Sequence, residues 1–159
     1  MRRFILLTVT LFSLLSCEED IKFSSPSVQG LKNDVFWRAT NSKVSILSDG
    51  TFLLEAYTAT ETLTLQTTSI IEQSYILGTT VNNTAVFVRN ESGKVIRYIT
   101  GNEIGNGQIT IVEYDEINKT ISGNFKCNVK NIDVDASSES NVNFQQGVFY
   151  KVPISVSIP

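Results

Sequence analysis

Histidine is missing from all 159 residues. Its absence removes imidazole general bases, the Ser–His–Asp and Cys–His arrangements, and the main ligand of the usual zinc, copper and non-haem iron sites. Cysteine is nearly as scarce, with two residues, Cys17 and Cys127. Basic charge is also in short supply. Lys and Arg number 13 against 16 Asp and Glu, for a net charge of −3, and no basic patch stands out. A nucleic-acid partner is therefore not expected. Long apolar runs are lacking too. The longest, from Phe4 to Leu15, falls short of the ~20 apolar residues that a membrane-spanning helix needs.

That short run has the context of an export signal. Arg2 and Arg3 precede it as a charged n-region, and small Ser16 and then Cys17 follow it. Leu14-Leu15-Ser16-Cys17 resembles the lipobox of bacterial lipoprotein signals. The resemblance implies cleavage between Ser16 and Cys17 and a diacylglycerol on the Cys17 thiol. Each buried acyl CH₂ contributes about 0.8 kcal/mol, so two or more chains give stable anchoring. The competing readings are an ordinary cleaved signal with a chance cysteine, or an uncleaved anchor. Glu18-Glu19-Asp20 comes next. It resembles the acidic surface-export signal of Bacteroidetes-type lipoproteins, and reads otherwise as a solvated linker. The expected destination is the outer membrane, with cell surface or periplasmic face undecided.

Cleavage at Ser16 leaves 143 residues, one domain's worth, with a net charge of −5. Lipidation of Cys17 leaves Cys127 alone, which excludes an intramolecular disulfide. The exported domain must then be held by its core.

Residues 17–33 read as a lipidated tether, acidic at first, then Ser24-Ser25-Pro26-Ser27 and Gly30. As flexible coil its reach is roughly 20–25 Å. From Asp34 the pattern is β throughout: short runs of Val, Ile, Thr, Phe and Tyr, punctuated by Asn, Gly and Asp. No window sustains a 3.6-residue period, so no long helix is expected. The clearest strand is 119–130. Ile121, Gly123, Phe125, Cys127 and Val129 alternate with Thr120, Ser122, Asn124, Lys126, Asn128 and Lys130. One face is apolar and the other polar, as in a sheet packed on one side. Cys127 is then a small buried hydrophobe rather than a reactive thiol. Other strands are expected at 35–40, 43–48, 51–58, 61–67, 75–77, 84–89, 94–100, 107–114, 141–145 and 147–154. Ser48-Asp49-Gly50, Glu91-Ser92-Gly93 and Asp115-Glu116-Ile117-Asn118 supply turns. The pattern predicts an all-β fold over 34–159: an antiparallel two-sheet β-sandwich or, alternatively, a closed lipocalin-like β-barrel.

Few constellations carry chemistry. Asp133, Asp135 and Glu139 offer oxygen ligands for Ca²⁺, but without EF-hand spacing they read as a strand end and a polar loop. Asp115-Glu116 is a carboxylate pair, yet adjacent turn residues suit glycoside chemistry poorly. Trp37, Tyr57, Tyr75, Tyr98, Tyr114 and Tyr150 could form a sugar-binding aromatic platform, but they read rather as core and rim positions. Three Asn-x-Ser/Thr acceptor patterns, at Asn82, Asn90 and Asn118, read as turns and polar edges. No G-x-S-x-G and no Gly-rich phosphate loop is present, and no S-x-x-K lies beyond the signal. The sequence assigns no catalytic residue, metal ligand or cofactor and marks no binding residues.

Several pieces occur in a familiar order: Phe36-Trp37-Arg38-Ala39-Thr40, then Gly107-Gln108-Ile109-Thr110-Ile111, then Asn118-Lys119-Thr120-Ile121-Ser122-Gly123-Asn124-Phe125. Gln146-Gly147-Val148-Phe149 with Val152-Pro153 closes the series. Together with the lipobox they resemble a family of small Bacteroidetes outer-membrane lipoproteins with a C-terminal domain of unknown function. The resemblance implies a β-rich exported lipoprotein and carries no catalytic residues. The expected role is a non-enzymatic binding domain, attached to the membrane through lipid on Cys17, with a glycan, a peptide or an envelope protein as partner. A structural or assembly subunit of an envelope complex comes second and a hydrolase third.

Overall fold

The computed structural model describes residues 26–132 and 139–156. Within them the chain forms eleven strands and no helix. These are β1 (Ser27–Lys32), β2 (Val35–Arg38), β3 (Asn41–Ile46), β4 (Phe52–Tyr57), β5 (Glu61–Thr67) and β6 (Ser74–Leu77). β7 (Thr84–Glu91), β8 (Lys94–Ile99), β9 (Asn106–Asp115), β10 (Thr120–Asn131) and β11 (Asn141–Val156) follow.

All eleven join one mixed sheet in the order β2-β1-β11-β3-β4-β5-β7-β8-β10-β9-β6, and β10 also pairs with β11. That extra pairing closes part of the sheet into a ring. The two long strands make it possible, because each changes neighbour along its length. β10 pairs with β9 over Thr120–Asn128, then with β8 at Lys130 and Asn131. β11 pairs with β1 over Phe144–Tyr150, then runs parallel to β3 from Ile154 to Val156. The expected antiparallel two-sheet sandwich is therefore corrected to a single mixed sheet with a partial ring. It is not the closed barrel either, since β1, β2, β6 and β9 lie outside the ring. Alternation along each strand shows which side is buried, but not where a long strand changes partner.

Three local features account for the remaining differences. The tether expected over 17–33 overlaps β1, which lies between β11 and β2. Val28 is buried, and Gly30 is required by contact: a Cβ there would sit 2.9 Å from Gly147 Cα. Asn33 and Asp34 both take positive φ, the conformation of a two-residue hairpin turn matched to strand twist. A polar, glycine-containing stretch thus reads as coil yet pairs as strand. Second, 141–145 and 147–154 are one strand. Gln146, at φ 49°, bulges where Gln145 and Gln146 both face Lys126. Third, the turns hold by side-chain capping. Asp115 Oδ1 accepts the Ile117 and Asn118 amides at 3.0 and 2.9 Å, and Asp49 Oδ1 accepts that of Thr51 at 2.9 Å.

The core fills the inside of the curl. Phe52 of β4 meets Phe149 of β11 at 6.0 Å between ring centroids, and Phe87 of β7 meets Phe144 of β11 at 5.3 Å. Burying each such side chain contributes about 1.5–3 kcal/mol.

The motifs quoted above interlock within this core. Gly123 lies opposite Phe149, and Phe125 lies opposite Gly147. Each glycine of one G-x-F is thus faced by the phenylalanine of the other. The rings fill the space where a Cβ would be: at Gly147 it would lie 2.6 Å from the Phe125 ring, and at Gly123 2.3 Å from Phe149 Cζ. The G-x-I-x-I strand completes the set, with Ile111 opposite Gly123 and Ile109 opposite Phe125. Cys127 is buried beside them, as its alternation predicts. Burial pushes its thiol up to about 12.

Candidate functional site

Strands β9, β10 and β11 turn their other residues outward. Because register is fixed by the G-x-F interlock, these residues form ordered rungs across the sheet. One rung runs Arg38, Gln29, Val148, Asn124, Thr110, Ser74 across β2, β1, β11, β10, β9 and β6. The next runs Phe36, Leu31, then the Gln145–Gln146 bulge facing Lys126, then Gln108 and Ile76. A third joins Asn143, Asn128 and Asn106. Rung neighbours are separated by the strand spacing of about 4.8 Å.

Two hollows lie in this face beside the Gln146 bulge. One, of about 410 Å³, is lined by Gln108, Thr110, Asn124, Phe125, Lys126, Gln146, Gly147 and Val148. The second, about 490 Å³, is lined by Asn106, Gly107, Lys126, Cys127, Asn128, Asn143, Phe144, Gln145 and Gln146. Lys126 and Gln146 belong to both, so the hollows adjoin along one grooved face. Side-chain amides dominate its polar surface, and Lys126 is its one charged group.

Some of these amides are held in place. Gln108 Nε2 donates to Ser74 Oγ and Thr110 Oγ1, both at 2.9 Å, and those hydroxyls lie 2.9 Å apart. Asn141 Nδ2 donates to Asn128 Oδ1 at 3.1 Å, and the Asn143 backbone pairs with Asn33, its N–H donating to Asn33 Oδ1 and its carbonyl accepting the Asn33 N–H, both at 2.8 Å. Among the described residues, Asn124, Gln145, Gln146 and Lys126 carry no side-chain bond. Each amide offers two donor hydrogens and an acceptor oxygen. The groove combines anchored amides with free ones and so has open hydrogen-bonding capacity.

The residues singled out from the sequence lie elsewhere. Ser16, Cys17, Asp133 and Asp135 lie outside the described residues. Glu139 is exposed, 3.7 Å from Arg89 Nη1 and 3.5 Å from Asn33 Nδ2. No group of three potential metal ligands converges among the described residues. Asp115 caps its turn. The Asn118 side chain at 2.6 Å, then the Asn118 amide, hold its carboxyl below the usual value. Of the six aromatic residues singled out, three lie in the core, while Tyr57, Tyr114 and Tyr150 are half-buried on β4, β9 and β11. Trp37, Tyr75 and Tyr98 are buried. Trp37 Nε1 donates to Glu61 Oε2 at 2.7 Å, beside the Lys32–Glu61 ion pair. Tyr75 donates to the Ile71 carbonyl at 2.9 Å. Phe36, by contrast, is 65% exposed on the groove's side of the sheet. The polar alternation of 119–130 carried the signal for the groove. Its width came only with the register.

A family model described as a domain of unknown function (DUF6252) matches residues 24–153. The chain belongs to that family. The DUF6252 span includes β1 and reaches into β11, so the interlocking motifs and every rung of the groove fall inside it. No curated protein and no solved structure matches the chain.

Proposed function

We propose that this DUF6252 chain is a non-enzymatic, glycan-binding domain tethered to the outer membrane by lipid on Cys17. The observation that carries the binding reading is the amide-lined groove across β9, β10 and β11. A sheet face, unlike a sheet edge, has its backbone groups committed to neighbouring strands. An extended peptide gains most of its affinity by adding to an edge. Recognition on this face falls to side chains, and favours a ligand that presents paired donors and acceptors along its length. Polyhydroxylated sugars do so. Phe36, Leu31 and Ile76 at the ends of one rung supply apolar surface for the C–H faces of the rings. The lining carries no carboxylate pair, which favours holding a glycan over hydrolysing it.

Affinity electrophoresis of the domain from residue 17 onward, in gels containing single polysaccharides, tests this. Retardation by at least one polysaccharide, abolished in Gln108→Ala/Asn124→Ala, is expected. Equal retardation of wild type and variant would refute the groove. Labelled palmitate incorporated by the full chain but not by Cys17→Ala tests the anchor independently.

An assembly role has one observation in its favour. Edge strand β2 leaves Val35 and Phe36 exposed.

A further inference from the structure

The groove's single charge narrows the ligand further, on the assumption that the groove is a glycan site. Lys126 stands at the centre of its rung, opposite the Gln145–Gln146 bulge, and lines both hollows. Its ammonium forms no ion pair among the described residues. No Asp or Glu lines either hollow, although acidic residues outnumber basic ones in the chain. An ammonium among neutral amides acts as a point charge with three donors, and the low local density of competing anions leaves it open. Amides on either side, Asn124 and Asn128 two residues along β10, are spaced to take the hydroxyls flanking a charged substituent.

We propose that the groove binds an acidic glycan, with the carboxylate or sulfate of one sugar on Lys126 and its neighbours' hydroxyls on the amides. A charge-assisted hydrogen bond of this kind is worth roughly tenfold or more in affinity. It weakens as salt screens it.

The test is affinity electrophoresis of the domain from residue 17 onward, at low and high salt. The acidic probes are polygalacturonate and alginate as carboxylates and dextran sulfate as a sulfate ester; dextran, galactan and galactomannan are neutral. Retention by an acidic member, reduced roughly tenfold in Lys126→Gln, restored in Lys126→Arg and lessened by salt, is expected. Which acidic probe is retained separates carboxylate from sulfate. Lys43→Gln on β3 removes the same charge far from the groove and should leave retention unchanged. An equal loss in Lys43→Gln would trace binding to overall charge and overturn the proposal. Retention by neutral members alone, lost in Gln108→Ala/Asn124→Ala but not in Lys126→Gln, would overturn the acidic assignment and leave the groove standing. Retention by no member would overturn both.

Discussion

The inner and outer faces of β9, β10 and β11 share one backbone and differ in almost everything else. Inside, Gly123, Phe125, Gly147 and Phe149 fit each other to the limit of contact, with Ile109, Ile111 and Cys127 beside them. Outside, amides and a lysine stand in rungs with hydrogen-bonding capacity left open. Period-two alternation lets the same strands build a core and display a surface. The difference teaches that the interlock sets the register and the register places the rungs. A slip of one residue would exchange the two faces. Damage inside should therefore abolish both fold and groove, while damage outside should abolish binding alone.

The largest effect is expected from Gly123→Ala. Its Cβ would lie 2.2 Å from the Thr110 carbonyl oxygen, so backbone must move. A loss of about 3 kcal/mol or more is expected, read as a lowered urea midpoint. Phe149→Ala should match it at about 3–5 kcal/mol, because it opens a cavity between β11 and β4. If either variant folds with wild-type stability, the interlock is not what sets the register.

Cys127 gives a smaller and pH-dependent effect. Its folded pKa of about 12 lies above the ordinary 9.0. Between those values the folded chain keeps a proton that the unfolded chain releases. Stability is thus unaffected below pH 9 and falls as pH rises towards 12, by at most about 1.4 kcal/mol per unit. Cys127→Ala should lose that alkaline slope, as urea midpoints at pH 8 and pH 10.5 will show. Below pH 9 the thiol should resist alkylation until the protein unfolds.

The smallest effect on stability is expected outside. Gln108→Ala/Asn124→Ala should change unfolding free energy by no more than about 0.5 kcal/mol per site while removing glycan retention. A large drop in stability would make the outer network part of the scaffold and erase the contrast.

Much of the inner face was legible in the sequence. The 119–130 alternation placed Phe125, Cys127 and Val129 inward, and Asp49, Ser92 and Asp115 marked turns that the structure contains. β1 was not legible. Gly30 reads as a breaker until Gly147 is seen against it, and Asn33-Asp34 looks like linker until its left-handed turn is seen. Nor was the ring, which depends on β10 and β11 changing partners midway. The groove was half legible: Asn124, Lys126 and Asn128 showed a polar face, but Gln108, Gln145 and Gln146 join it only through pairing. The tyrosines read as core and rim positions, and Tyr75 and Tyr98 are core. Strand position alone does not tell a rim hydroxyl from a buried one.

Amide and side-chain NMR shifts during titration with acidic and neutral oligosaccharides test the central claim most directly. The Asn and Gln side-chain signals of the groove should move, with Asn124, Gln145 and Gln146 foremost, while the Trp37 indole N–H inside the core stays still. Shifts centred on Trp37 and β5 with the groove amides unmoved, or no shift with any oligosaccharide, would contradict the account.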